Sequence, residues 1–206
     1  MNRTAILTVA VWLAAAPAFA QGQGAPPTRA KAPWGALTDI VGAGEIVLGR
    51  VCLPGIVEHQ AIPDLAYAQW LVAMPPKAAG ATPADKAWRL ASLTPVYAVA
   101  WGDGSCSTFV DRGPSAKLRE MADRTIRARP EGFVLDQTGV VAGGSVERTI
   151  YCGGTADARY VATIATPVGH PAGHVRALAS TVYRAGPTGL CSHAAPVAQP
   201  DDGIRP

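Results

Sequence analysis

The sequence has little charge and few aromatic residues. Charged residues make up 16% of its 206 residues, aromatic residues make up 6%, and the formal net charge is +3 at pH 7. This near-balanced charge argues against a nucleic-acid partner, because proteins that bind nucleic acids usually present a basic face. With so few aromatic side chains, the core is expected to consist mainly of valine, leucine, isoleucine and alanine.

Several motifs that carry catalysis or cofactor binding are also missing. The sequence contains no phosphate-binding G-x-x-x-x-G-K-[ST] motif, no dinucleotide-binding glycine pattern and no G-x-S-x-G serine motif. Its acidic residues show no evident pair of the kind that glycoside hydrolysis requires. We therefore expect no cofactor, and the sequence predicts no catalytic residue directly.

The four cysteines lack the C-x-x-C spacing of thioredoxin-type redox sites and zinc ribbons. An even number of widely spaced cysteines in an exported chain favours two disulfides over a catalytic thiol. Three pairings are open. The positions of the cysteines in the predicted elements favour a bridge between the two hairpins and a second between the start and the end of the domain, namely Cys106–Cys152 and Cys52–Cys191.

The first twenty residues are typical of a secretory signal peptide. Arg3 provides a short positive start, residues 5–16 are apolar, and Ala18-Phe19-Ala20 forms a small-x-small cleavage site. We expect cleavage after Ala20 and export to the periplasm or the medium. The apolar run is too short to span a bilayer, and we expect no later run to be long enough, so no integral membrane segment is predicted after cleavage.

The remaining chain is predicted to form one disulfide-stabilised α+β domain. Residues 21–33 resemble a flexible linker rich in glycine, proline and alanine, and residues 194–206 a disordered tail. The domain between them, residues 34–193, should consist of an antiparallel sheet of about five strands with helices packed on one face.

Periodicity places helices in the first part of the domain and strands in the rest. The patterns predict a helix over residues 37–51 that Pro54-Gly55 ends, a helix over 63–74, and a helix over about 115–127. Residues 96–101 and 105–111 should form a hairpin around Asp103-Gly104. Residues 133–135 should form a short strand and 138–145 a glycine-rich turn, while 88–90 remain ambiguous. Residues 175–184 form a strand or a helix, and the β-branched Thr181 and Val182 favour the strand. Alternating residues predict strands over 146–152 and 159–167.

Three of the four histidines offer one alternative site. His170 and His174 are close in sequence and His193 follows Cys191, so a secreted zinc site could be drawn from them. Pro171 and Gly173 break any helix that would place two imidazoles on one face, and a surface loop is therefore favoured.

Three tryptophans at loop edges are candidate anchors for a partner: Trp70, Trp88 and Trp101. Packing in the core is the more common role of such side chains.

These features favour a non-catalytic periplasmic or secreted module of the binding or inhibitor/immunity type. Its partner would be a small ligand or another envelope or extracellular protein. A small secreted hydrolase or metal-dependent enzyme that uses His170, His174 and His193 is the alternative. The sequence does not indicate an oligomeric state.

Overall fold

One antiparallel sheet of eight strands forms the centre of the domain. The computed structural model describes residues 39–91, 95–141, 144–169, 176–186 and 190–191, all within one compact unit, Pro33–Pro206. The strands lie in the order β1-β2-β3-β4-β8-β7-β6-β5, and every neighbouring pair is antiparallel. The strands are β1 Leu71–Met74, β2 Lys86–Leu90, β3 Val96–Ala100, β4 Cys106–Val110, β5 Val134–Val141, β6 Val146–Gly154, β7 Arg159–Pro167 and β8 Leu178–Arg184.

In the described part of the chain, four α-helices, one π-helical turn and one 3₁₀ turn accompany the sheet. A continuous helical run comprises α1, the π-helical turn and α2, and Pro54 lies within it rather than ending it. The wide turn before Pro54, in which the Leu53 N–H donates to the Leu48 carbonyl, lets the helix accept a residue without an N–H. The elements are α1 Ile40–Val47, the π-helical turn Leu48–Cys52, α2 Leu53–Val57, α3 Ile62–Ala68, the 3₁₀ turn Pro76–Ala79 and α4 Ser115–Arg127.

The α+β class, the antiparallel sheet and the presence of two disulfides are confirmed. The hairpin of β3 and β4 forms around the predicted turn, and α4, β6 and β7 lie where periodicity places them. Residues 178–184 resolve the ambiguity of that region as a strand. These segments share a clear period and a clear turn signal, so local pattern was sufficient to predict them.

The predicted number of about five strands is too low, since the described sheet has eight. β1 was not predicted, residues 88–90 of β2 were left ambiguous, and β5 was predicted only as the short strand 133–135. The predicted helix over residues 63–74 ends at Ala68, and Trp70 adopts a left-handed backbone (φ 60°) that releases Leu71–Met74 to pair with β2. Residues 138–141, which were predicted as part of a turn, instead extend β5 by pairing along β6. Each of these strands is recruited by a neighbour in the sheet, which is a tertiary effect that overrides local propensity.

The helices pack on one face of the sheet, although the 3₁₀ turn does not share that face. Alternate strand residues such as Val96, Ala98 and Val110 pack with the α-helices in the main core. Ala79 of the 3₁₀ turn packs instead with Tyr97, Val99 and Phe109 in a second cluster. The prediction that helices cover one face is therefore only approximate.

The predicted disulfide pairing is wrong. The bonds are Cys52–Cys106 and Cys152–Cys191, and no free cysteine remains among the four. Two strands, β8 and β7, separate Cys106 on β4 from Cys152 on β6, which places them about 14 Å apart at ordinary strand spacing. They also belong to different clusters, Cys106 to the main core and Cys152 to a third cluster. Cα atoms so far apart cannot be bridged.

The helical run Ile40–Val57 has 18 residues and a mean hydropathy of 1.7. By length and composition alone it could span a membrane, so the prediction that no later run reaches that length is wrong. Of this run, 56% is buried inside the protein, and Gly44 within it allows Met121 of α4 to approach so closely that a Cβ atom would lie 2.9 Å from Met121 Cε. The apolar character of the run is thus explained by its packing in the core.

Candidate functional site

A partly open cleft of about 560 Å³ lies where the end of α2, the turn between β3 and β4, and the last residues of β8 meet. Six of its nine lining residues have polar or charged side chains, and α2 contributes an apolar one. The lining residues are Gly55, Ile56, His59, Asp103, Gly104, Ser105, Thr181, Tyr183 and Arg184.

Two carboxylates hold the turn that forms one wall of the cleft. Asp103 Oδ1 accepts hydrogen bonds from the Ser105 backbone N–H (2.9 Å) and from Ser105 Oγ (2.7 Å). Asp85 Oδ1 accepts a bond from the Gly102 N–H (2.8 Å), and Asp85 Oδ2 accepts two from Thr82. The bonds from Thr82 and Gly102 hold the pKa of Asp85 below its ordinary value. The turn is therefore fixed on both sides by charge-assisted hydrogen bonds.

His59 also lines the cleft and has a left-handed backbone conformation (φ 54°). It is the second residue after α2, a position at which glycine is the usual residue because a Cβ atom is unfavourable there. The imidazole is exposed, and its Nε2 lies 3.5 Å from Tyr160 Oη, the outer limit of a hydrogen bond. Gly55 permits the close approach of α3 to α2, since a Cβ atom at Gly55 would lie 2.5 Å from Ile62 Cγ1.

β8 contributes three polar side chains. Thr181 Oγ1 bonds with Ser107 Oγ at 2.8 Å, and Ser107 Oγ also accepts the Trp101 indole N–H at 2.8 Å. Burial raises the pKa of Tyr183 above its ordinary value. Arg184 is exposed and donates one bond, from Nη2 to the Asp157 carbonyl (3.2 Å). The guanidinium has five N–H donors, so this bond leaves donor capacity for a ligand.

The arrangement is suited to binding, and the contacts in the cleft assign no nucleophile. The hydroxyl of Ser105 donates to Asp103, an acceptor in a fixed turn, and not to a histidine that could act as a base. All four cysteines are in disulfides. Within the residues that the structure describes, no group of three or more histidine, cysteine or acidic side chains could hold a metal ion.

The structure separates the three tryptophans predicted as partner anchors. Trp88 is 3% exposed and packs in the main core, so it cannot anchor a partner. Trp101 is half-buried, stacks edge-on against Phe109 at 6.3 Å and bonds Ser107. Trp70 is half-buried in the left-handed turn before β1. None of the three lines the cleft.

The predicted histidine site cannot be compared with the structure, because His170, His174 and His193 lie outside the described residues. His59, the remaining histidine, lines the cleft instead.

Sequence reasoning did not identify this cleft. In the sequence, Asp103 belongs to a predicted turn and Ser105 begins the predicted strand that follows it. Thr181, Tyr183 and Arg184 lie in the segment that was predicted to form a strand or a helix. The turn and β8 become neighbours because β4 pairs with β8, with Cys106 opposite Val182. The sequence carried no local signal for His59, because Pro54-Gly55 was predicted to end the helical segment before it.

Comparison with known protein families, with curated proteins and with solved structures finds no match to this chain.

Proposed function

We propose that this chain is an exported, non-catalytic binding module, and that its cleft binds a small zwitterionic ligand of the size of an amino acid or a short peptide. Arg184 and His59 would receive the anionic group, and Asp103 the cationic group. The observation that carries the proposal is the presence of an acid, a guanidinium and an imidazole in the lining of one cleft of about 560 Å³.

The volume favours a small ligand over a large protein surface. Pockets for small molecules usually enclose roughly 300–1,000 Å³ and combine apolar walls with a few polar groups. Ile56 supplies an apolar wall, and Ser105, Thr181 and Tyr183 supply neutral polar groups around the charged ones. A protein partner of the inhibitor or immunity type would have to insert a chain end or a side chain to use the same groups.

The conformation of His59 supports a role in the cleft. A non-glycine residue in the left-handed region costs about 1–2 kcal/mol, and such residues are concentrated at functional sites. No contact of the exposed imidazole other than the long one to Tyr160 offsets this cost within the described structure. A binding role would account for a histidine at a position that suits glycine.

The two disulfides suit an oxidising compartment outside the cytoplasm. The predicted signal peptide, with cleavage after Ala20, leads to the same compartment, the periplasm or the medium. Export is thus part of the proposal.

The experiment is a calorimetric titration of the purified protein with glycine, alanine and diglycine, and with their N-acetylated and esterified derivatives, which each carry one charge fewer. We expect saturable binding of at least one zwitterion, and binding at least tenfold weaker for both of its derivatives. Equal binding of a zwitterion and its derivatives would contradict the assignment of Arg184 and Asp103.

Two substitutions assign the binding to the cleft. Arg184→Gln and Asp103→Asn each remove a charge and retain hydrogen-bonding groups, and each should weaken binding at least tenfold. Arg89→Gln is the matched control, since Arg89 is also an exposed arginine on a strand but lies on β2, outside the cleft. Loss of binding in the control would show that net charge, and not the cleft, governs affinity.

The enzymatic alternative, a hydrolase or a metal-dependent enzyme that uses His170, His174 and His193, stays a prediction. Elemental analysis of protein purified without chelator tests it. Stoichiometric zinc that is lost in His170→Ala would favour the enzyme over the binding module.

A further inference from the structure

β5 is a long edge strand, and among the described residues no strand pairs with its outer side. It contains eight residues, Val134–Val141, and all eight are exposed. Among them are four of the large apolar side chains most exposed in the described structure: Val134 (48%), Leu135 (48%), Val140 (58%) and Val141 (36%). An edge of this length and composition is a ready template for another strand.

The opposite edge of the sheet is protected in the way that natural edges usually are. β1 has only four residues, Leu71–Met74, and Pro75 follows it directly. β5 has no lysine, arginine or proline, and Asp136, its one charged residue, lies at a bulge between Leu135 and Gln137. The two edges therefore differ in strand length and in the presence of a proline, which are features that prevent strand addition.

We propose that β5 pairs in antiparallel fashion with β5 of a second copy of this chain, around a two-fold axis at Thr138. The sequence VLDQTGVV is apolar at both ends and polar in the middle. Antiparallel pairing places Val134 opposite Val141 of the second copy and Leu135 opposite Val140. A strand that is complementary to itself in this way is suited to an isologous dimer.

The bulge makes this register consistent with the two faces of the sheet. Because Asp136 has no partner on β6, the other seven residues oppose seven consecutive residues of β6, and Thr138 is the fourth of the seven. Rotation about Thr138 therefore places each side chain opposite one on the same face: Val134 and Val141 on one face, Leu135 and Val140 on the other. Gln137 is then opposite Gly139, and no like charges meet.

A single pair of edge strands forms a small interface, so the dimer should be reversible and concentration-dependent. Sedimentation equilibrium of the wild-type protein from about 1 µM to 1 mM should show the mass rising from that of a monomer towards that of a dimer. A mass that stays monomeric up to 1 mM would overturn the proposal and leave β5 to a different strand.

Val140→Lys tests the surface, because lysine on an edge strand opposes pairing and the substitution acts twice in a symmetric dimer. It should weaken dimerisation at least tenfold. Tyr67→Lys is the matched control, since Tyr67 is 52% exposed and lies on α3; it should leave the association constant unchanged. A dimer that Val140→Lys does not weaken would refute the role of β5.

Cysteine substitution tests the register and does not depend on the charge variant. Residues directly opposite each other have Cβ atoms about 4.5–5.5 Å apart, close to the distance that a disulfide spans. Thr138→Cys should therefore form a crosslinked dimer under mild oxidation, whereas Gly139→Cys, opposite Gln137, should crosslink at least tenfold more slowly. Faster crosslinking of Gly139→Cys would overturn the proposed two-fold axis.

Discussion

Removing the disulfide between Cys52 and Cys106 should lower the free energy of unfolding by about 4 kcal/mol. The bond joins the π-helical turn to β4 and closes a loop over 54 residues of sequence. In the chain-entropy treatment, a loop of this length restricts the unfolded chain by ~4 kcal/mol at 25 °C. Both residues are fully buried in the main core, so replacement by alanine also leaves a small cavity that adds to the loss.

The assay is urea unfolding of the wild-type protein and of the double variant Cys52→Ala/Cys106→Ala, followed by circular dichroism. Cys152→Ala/Cys191→Ala is the comparison. Its loop covers 39 residues, and because the entropy depends on the logarithm of length, the loop contribution should again be ~4 kcal/mol. A loss below about 1 kcal/mol in the first double variant would refute the reasoning.

Three further predictions concern the core and the cleft. Burial and hydrogen bonds to Asp111 and Asp123 raise the pKa values of Tyr97 and Tyr151 to about 12. The two tyrosines should therefore contribute their full share to the free energy of unfolding below pH 10, and this share should decrease as the pH rises towards 12. Urea unfolding at each pH measures it. Gly55→Ala should cost about 1–3 kcal/mol in urea unfolding, because its Cβ atom would overlap Ile62. His59→Gly should stabilise the protein by about 1 kcal/mol, by relieving the left-handed backbone, while weakening ligand binding in a calorimetric titration.

Local sequence predicted the parts of the fold that local physics determines. Asp103-Gly104 specified the hairpin of β3 and β4 because the pair tolerates positive φ, and Gly104 has φ 83°. Alternation along β6 and the apolar stripe of α4 (Leu118, Met121, Ala122 and Ile126) were equally clear, and these four side chains are buried.

The rest of the fold depends on contacts between distant segments. Leu71–Met74 has a helical pattern when considered alone, yet it pairs with β2. The disulfide pairing depends on the order of strands in the sheet. β4 lies beside β8 and not beside β6. No local sequence pattern indicates that order. A prediction that joined two adjacent hairpins was reasonable locally and wrong in space.

The candidate site shows the same limit. His59, Asp103 and Arg184 come from three separate segments, and the pairing of β4 with β8 brings the β3–β4 turn to β8. The tryptophans show the opposite error. Trp88 was a candidate for exposure because it lies near a predicted loop, but its side chain is buried in the main core. Proximity to a turn in sequence does not determine which face of a strand a side chain occupies.

The most direct test of the proposed function is a titration of the ¹⁵N-labelled protein with the tightest-binding zwitterion, followed by two-dimensional NMR. The account predicts that the amide signals that shift will be concentrated at the cleft, at Gly55, Gly104 and Thr181, and that the shifts will saturate with one equivalent bound. Saturating shifts confined to residues away from the cleft, or no shifts with any zwitterion at millimolar concentration, would contradict it.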